Sequence, residues 1–258
     1  MSDRSRTRRT QAVILRRRDH GDADRILTVF TPQEGKLDLI AKGTRKTSSR
    51  KAGHLEPFTH VNLLVAQART WDIITEVTTL ESFGGLRASL ERISQASYAC
   101  ELIDIFGESA DDSRELWEMM LLALREIDRG QRDPQLFLRW FELHLLSLAG
   151  FQPELFHCLG CGEEIRPEAN VLSLAEGGIY CPRCGQALPS GEAIDVTVLK
   201  MMRHLQRSSW ASVRNLSLER AVLGALESIL YRYLVLVLER QLKSVDFLRQ
   251  LQRFGGLH

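Results

Sequence analysis

The segment CLGCGEEIRPEANVLSLAEGGIYCPRCG, Cys158–Gly185, carries two Cys-x-x-Cys turns separated by nineteen residues. No other feature restricts the fold as much, because four thiolates at this spacing can be brought to the corners of one tetrahedron, the arrangement that zinc prefers. Cys158, Cys161, Cys181 and Cys184 make a complete ligand set for one ion, with no position left open for water. The expected role is therefore structural zinc rather than hydrolysis, with a redox pair, a disulfide or an iron–sulfur centre as the alternatives. Gly162 and Gly185 each follow the second cysteine of a turn, where permissive backbone is useful. His157 reads as a surface neighbour, and the apolar run VLSLAEGGIY as a loop that the clip pins between helices. The fifth cysteine, Cys100, reads as a small apolar residue on the inner face of a helix.

The first eighty residues contain the short β-rich runs TQAVILRRR, RILTVFT, KLDLIAKG, FTHVNLLVA and TWDIITEVTTL, punctuated by DHGDAD and PQEG. Five short strands with tight links suit a small closed barrel, and TRKTSSRKAGHLEP is its one longer polar connection. Helical periodicity follows, over Leu86–Phe106, Ser113–Ile127 and Asp133–Gly150, then again over GEAIDVTVLKMMRHLQ and SLERAVLGALESILYRYLVLVLERQLKS. Asp133 as N-cap, Pro134 behind it and Gly150 past the end punctuate the third helix. The expected class is α+β, a β-barrel domain over residues 1–82 followed by an all-α domain over 83–258, with the zinc insertion at about 157–188.

Charge is unevenly distributed. Residues 1–80 hold 15 Lys and Arg against 9 Asp and Glu, a balance of +6, and residues 81–258 hold 19 against 24, a balance of −5. A polyanion is thus expected at the front of the chain. The N-terminus MSDRSRTRRTQ has no apolar stretch of a signal peptide, and the longest segment without a charged residue, Pro57–Ala68, is too short to span a bilayer. A soluble cytoplasmic protein is expected.

Arg16, Arg17 and Arg18 close the first strand, and Lys42, Arg45, Lys46, Arg50 and Lys51 crowd a stretch that has no acid. Arg25 and Lys36 lie between these groups. Such cations neutralise phosphates, and Thr44, Thr47, Ser48 and Ser49 are candidate hydrogen-bond donors beside them. The alternative is a solvated basic loop. Phe30, Phe58 and Trp71 are the aromatics positioned for base stacking, too few for strong sequence preference, so binding should be charge-dominated and steeply salt-dependent.

No phosphate-cradling glycine loop, nucleophile elbow or His-Glu-x-x-His helix is present in the sequence, and Asp22 with Asp24 reads as a polar turn. No turnover and no small-molecule substrate are expected. A thiol oxidoreductase and an RNA-binding or transcription-associated barrel-and-ribbon protein are the competing readings.

Four stretches resemble the RecO family of bacterial recombination mediators. VILRRRDHGDADRILTVFTPQEGKLDLIAKGTRK is similar to its N-terminal signature and LEPFTHVNLLV to its fourth strand. LLSLAGFQPELFHCLGCG is similar to the helix entering the zinc knuckle, and LKSVDFL to the C-terminal ending. The resemblance implies an oligonucleotide-binding (OB) barrel, a helical domain with zinc, and no enzymatic activity. It also implies binding to single- and double-stranded DNA, strand annealing, and cooperation with RecR and the tail of single-strand binding protein (SSB) in loading RecA, in a nucleoid-associated cytoplasmic setting.

Overall fold

The structure, a computed structural model, describes residues 7–47, 49–107 and 113–239. Five strands open the chain: β1 (Thr7–His20), β2 (Asp24–Thr31), β3 (Gly35–Ala41), β4 (His60–Ala66) and β5 (Asp72–Glu81). They pair in the order β1-β2-β3-β5-β4 and close on β1, with only β3 and β5 parallel. Alternation places Ala12, Ile14, Leu27, Val29, Leu39, Leu63, Val65 and Ile74 in a dry interior.

Three helices follow, the short α1 (Gly84–Arg87), α2 (Leu90–Phe106) and α3 (Ser113–Arg129). The expected continuous helix from Leu86 is broken at Ser89, whose side chain caps α2 by accepting from the Arg92 amide. Helices α2 and α3 lie on the outer face of β1 and β2, where Val13, Ile26 and Phe30 are buried. That covered face groups the first three helices with the barrel in a compact unit that runs to Gly130.

The second unit begins at Gln131. It holds α4 (Pro134–Leu148), strands β6 (Val171–Ser173) and β7 (Gly178–Tyr180), α5 (Pro182–Gly185), β8 (Glu192–Ala193), α6 (Val196–Arg207), α7 (Trp210–Val213) and α8 (Arg220–Leu238). Asp133 caps α4 by accepting from the Leu136 amide at 3.0 Å, Pro134 occupies its first turn, and Gly150 takes φ +80° just past the end. Helix α8 alone among the described helices is long and apolar enough to cross a membrane, a length the charge-free segment Pro57–Ala68 did not anticipate. Its stripe of Leu223, Leu226, Leu230, Tyr233 and Leu234 is nevertheless buried, and α8 packs against α4 and α6. Residues 1–6, Ser48 and the LKSVDFL ending lie outside the described residues, while Thr7–Thr10 are the first, β4-paired residues of β1.

Candidate functional site

The basic residues of the first unit separate into three groups. A register shift at Leu15 changes which side chains of β1 face outward. Cross-strand partners share a face, so Arg17, opposite the core residue Leu27, is turned from its neighbours and pairs with Glu56. Arg16 and Arg18 stay on the outer face, so Arg17 differs from them in facing and in its carboxylate partner.

Arg16, Thr28 and Asp38 occupy one row across β1, β2 and β3. Arg16 Nε donates to Thr28 Oγ1 at 3.1 Å, and Thr28 Oγ1 donates to Asp38 Oδ1 at 2.6 Å. Arg18 Nη2 lies 3.8 Å from Asp38 Oδ2. From α2, Asp104 receives Lys36 Nζ at 3.1 Å and stands 3.6 Å from Arg16 Nη1. Arg16, Arg17, Arg18, Ile26, Thr28 and Asp38 together line a hollow of about 280 Å³.

On the rim, Asp19 is shared by Arg25 at 3.1 Å and Arg45 at 3.3 Å, while Arg45 Nη1 donates to the Gly21 carbonyl at 2.9 Å. Asp24 accepts from the Gly43 amide at 2.8 Å, so with Asp22 it belongs to a polar turn. Lys51 Nζ donates to the Ile74 carbonyl. Lys42, Lys46 and Arg50 are exposed and have no carboxylate partner among the described residues. The carboxylates Asp19, Asp38 and Asp104 were not legible as partners from spacing; Asp104 is 68 residues from the lysine it holds.

Two expected contributors are withdrawn by burial. Thr44 is 2% exposed and its hydroxyl donates to the Ala41 carbonyl, so it is not offered to phosphate. Phe30 is fully buried on the helix-covered face, beside Gly107. Phe58 is partly buried at φ +64°, and Trp71 is partly exposed in the β4–β5 turn.

In the second unit, the Sγ atoms of Cys158, Cys161, Cys181 and Cys184 all lie within 4.8 Å of one another. The first turn is shaped by the Gly162 amide donating to the Cys158 carbonyl at 2.8 Å, with Gly162 at φ +74°; the Gly185 amide donates equivalently to the Cys181 carbonyl at 2.9 Å. Gly185 is required for a different reason from Gly162. A Cβ there would stand 2.5 Å from Val171 Cγ2, so it is close approach and not positive φ that excludes a side chain. VLSLAEGGIY is a hairpin rather than a loop, with Leu172 and Ile179 buried and Pro153, Met202, Ile229 and Tyr233 around it.

Burial opposes ionisation of Cys158, but amides of Cys181, Cys161 and Gly160 donating to its sulfur outweigh it and bring the thiol down to about 6. Hydrogen bonding to Cys181, reinforced by desolvation and the other sulfurs, holds the Cys184 thiol up at about 12. A bound dication favours the thiolate form of such a cluster, and its all-sulfur donor set fits zinc. Cys100 is buried, which raises its thiol to about 12 and leaves it unreactive. His157 is exposed, with Nδ1 3.7 Å from Glu154.

Family comparison covers both units. Residues 4–83 match the family described as Recombination protein O N terminal, and residues 87–246 match Recombination protein O C terminal. The chain belongs to the RecO family. Among RecO relatives, the DNA repair protein RecO of Roseiflexus sp. (strain RS-1) is 38% identical, over 95% of this chain and 86% of its own length. That of Dehalococcoides mccartyi (strain ATCC BAA-2100 / JCM 16839 / KCTC 5957 / BAV1) is 34% identical over 95% and 96%, and that of Symbiobacterium thermophilum 32% over 93% and 96%. The RecO N-terminal match contains the whole barrel and its cations, and the RecO C-terminal match contains all four cysteines.

Proposed function

We propose that this RecO-family chain is a DNA repair and recombination mediator that binds single- and double-stranded DNA through the first unit and anneals complementary strands. With RecR it helps load RecA onto strands covered by SSB, whose C-terminal tail it engages, and it carries out no catalytic turnover. The strand order and the single parallel pair support reading the barrel as an OB fold, which binds oligonucleotides on its strand 2–3 face and adjacent loops. One zinc ion held by Cys158, Cys161, Cys181 and Cys184 supplies charge compensation and cross-links the insertion; the protein works in the cytoplasm, on the nucleoid.

The observation that carries this reading is the state of the cations. Lys42, Lys46 and Arg50 have no carboxylate partner among the described residues, while Arg16, Arg18, Arg25 and Arg45 sit in ion pairs with at least one well-exposed member, and Lys36 is held by the largely buried Asp104. Exposed ion pairs contribute only about 0–1 kcal/mol each, so phosphates can replace the acids on the four arginines at small cost. Contacts of this kind read charge rather than sequence and release readily, as an annealer requires.

The test is ATP-free annealing of two complementary strands coated with the cognate SSB, repeated across a salt series. Acceleration that fades as salt rises is expected. A folded, metal-loaded protein that gives none at low salt would remove the assignment and turn attention to RNA.

A further inference from the structure

Trp71 stands apart from the other tryptophans. Trp117, Trp140 and Trp210 are 6%, 3% and 6% exposed, whereas Trp71 is partly open to solvent and does not belong to the barrel core. Its ring meets His20 edge-on, with centroids 5.1 Å apart and planes at 78°. His20 ends β1 and Trp71 precedes β5, so this contact joins the β1–β2 turn to the β4–β5 turn.

Both turns are fixed. Asp72 accepts from the Ala68 amide at 3.0 Å and from Arg8 Nη1 at 2.6 Å, which closes the turn that presents Trp71. Arg45 holds the other turn, its amide donating to the Ala23 carbonyl and its guanidinium to the Gly21 carbonyl, each at 2.9 Å. Cations lie on the same turns: Arg25 and Arg45 are bonded to Asp19, and Arg45 also to Gly21, at the β1–β2 turn, and Arg69 is two residues before Trp71, while Lys42 follows β3. Arg69 is exposed and lacks a carboxylate partner among the described residues.

The geometry points to the His20–Trp71 pair as a base-stacking platform for single-stranded DNA, with the neighbouring cations holding the phosphates on either side of the stacked base. This rests on the DNA-binding reading above and adds a contact that an intact duplex, its bases already stacked, does not make. An aromatic face accepts any base, so the platform favours single strands without selecting sequence. Preorganised turns reduce the ordering cost of forming the contact.

The experiment is a tryptophan-emission titration of the full chain with oligo(dT), with an abasic strand of equal length, and with duplex DNA. Oligo(dT) is expected to quench the emission, the abasic strand and the duplex much less. In Trp71→Phe, which keeps an aromatic partner for His20, the quench should vanish because the remaining tryptophans are buried. Measured by anisotropy, Trp71→Ala should bind oligo(dT) about tenfold more weakly while duplex affinity is unchanged. Equal quenching by abasic and base-bearing strands, persistence of the quench in Trp71→Phe, or equal loss of both affinities in Trp71→Ala would each overturn the platform while leaving DNA binding intact. Failure of the wild-type protein to bind any DNA would instead overturn both readings.

Discussion

Arg125 on α3 grips Glu81 on β5 with two hydrogen bonds, Nε to Oε2 at 2.9 Å and Nη2 to Oε1 at 2.7 Å, while His60 Nδ1 meets Glu81 Oε1 at 2.9 Å. The Arg125 bonds hold the Glu81 carboxyl down to about 2, against desolvation that opposes ionisation. The folded value lies below the ordinary 4.5, so this contribution is present above pH 4.5 and lost as the pH falls toward 2. Arg125→Met should cost roughly 1 kcal/mol at neutral pH, a figure kept small because both side chains are a third or more exposed to screening solvent. Urea unfolding of wild type and variant across pH 7 to about 2.5 checks this; a gap that stays constant into acid would refute the link.

Lys42, Lys46 and Arg50 should dominate the ionic part of single-strand binding. Replacing all three with alanine removes three candidate phosphate contacts, and each contributes about 0.7 to the slope of log affinity against log salt, so the slope should become shallower by about 2. Arg17→Ala, whose guanidinium is already paired with Glu56, should make that slope shallower by less than one such contact. Anisotropy titrations at several salt concentrations separate the two variants.

Asp38 competes with DNA for the outer face of β1–β3. Asp38→Asn retains an oxygen that can accept from Thr28 and deletes the charge facing Arg18. Tighter single-strand binding, by several-fold at low salt, is expected, with a steeper salt dependence than wild type. Unchanged affinity and slope would place the DNA path away from this face.

The knuckles and the strands were legible because their determinants are local: cysteine spacing in one case, β-rich runs between turn residues in the other. The helix at Asp133 was legible from its caps for the same reason. The site was harder to read. Nothing around Leu15 announces the register shift that divides Arg17 from Arg16 and Arg18, since no glycine or proline marks it. Asp104 joins Lys36 only after α2 has docked on the barrel, a long-range event without a local signature. Thr44 and Phe30 had suitable chemistry, but burial removed them, and burial belongs to the assembled fold.

Removing the metal should damage the second unit and spare the barrel. Cys161→Ser is expected to lower bound zinc well below one ion per chain and to expose the segment around residues 157–188 to protease, because ligand binding energy at such sites is folding energy. Oligo(dT) affinity should stay within about twofold of wild type, since phosphate contacts set it. Zinc assay, limited proteolysis and anisotropy on one preparation suffice; a folded, zinc-free variant that had selectively lost DNA binding would contradict a structural clip.

Val171 is enclosed by two glycines, and this makes the insertion's packing separable from metal binding by the four cysteines. A Cβ on Gly185 would meet Val171 Cγ2 at 2.5 Å, and one on Gly191 would meet Val171 Cγ1 at 2.3 Å. Gly185→Ala should therefore push β6 away from the second knuckle and destabilise the unit by about 1–3 kcal/mol, the usual cost of overpacking. Val171→Ala removes both γ-methyls and leaves a small void of its own. If steric conflict is the cause, the double variant should be more stable than the sum of the single losses predicts, by roughly 1 kcal/mol or more. Additive losses would mean that Gly185 is needed for its backbone and not for the space it leaves, and thermal melts of the four zinc-loaded proteins decide between these outcomes.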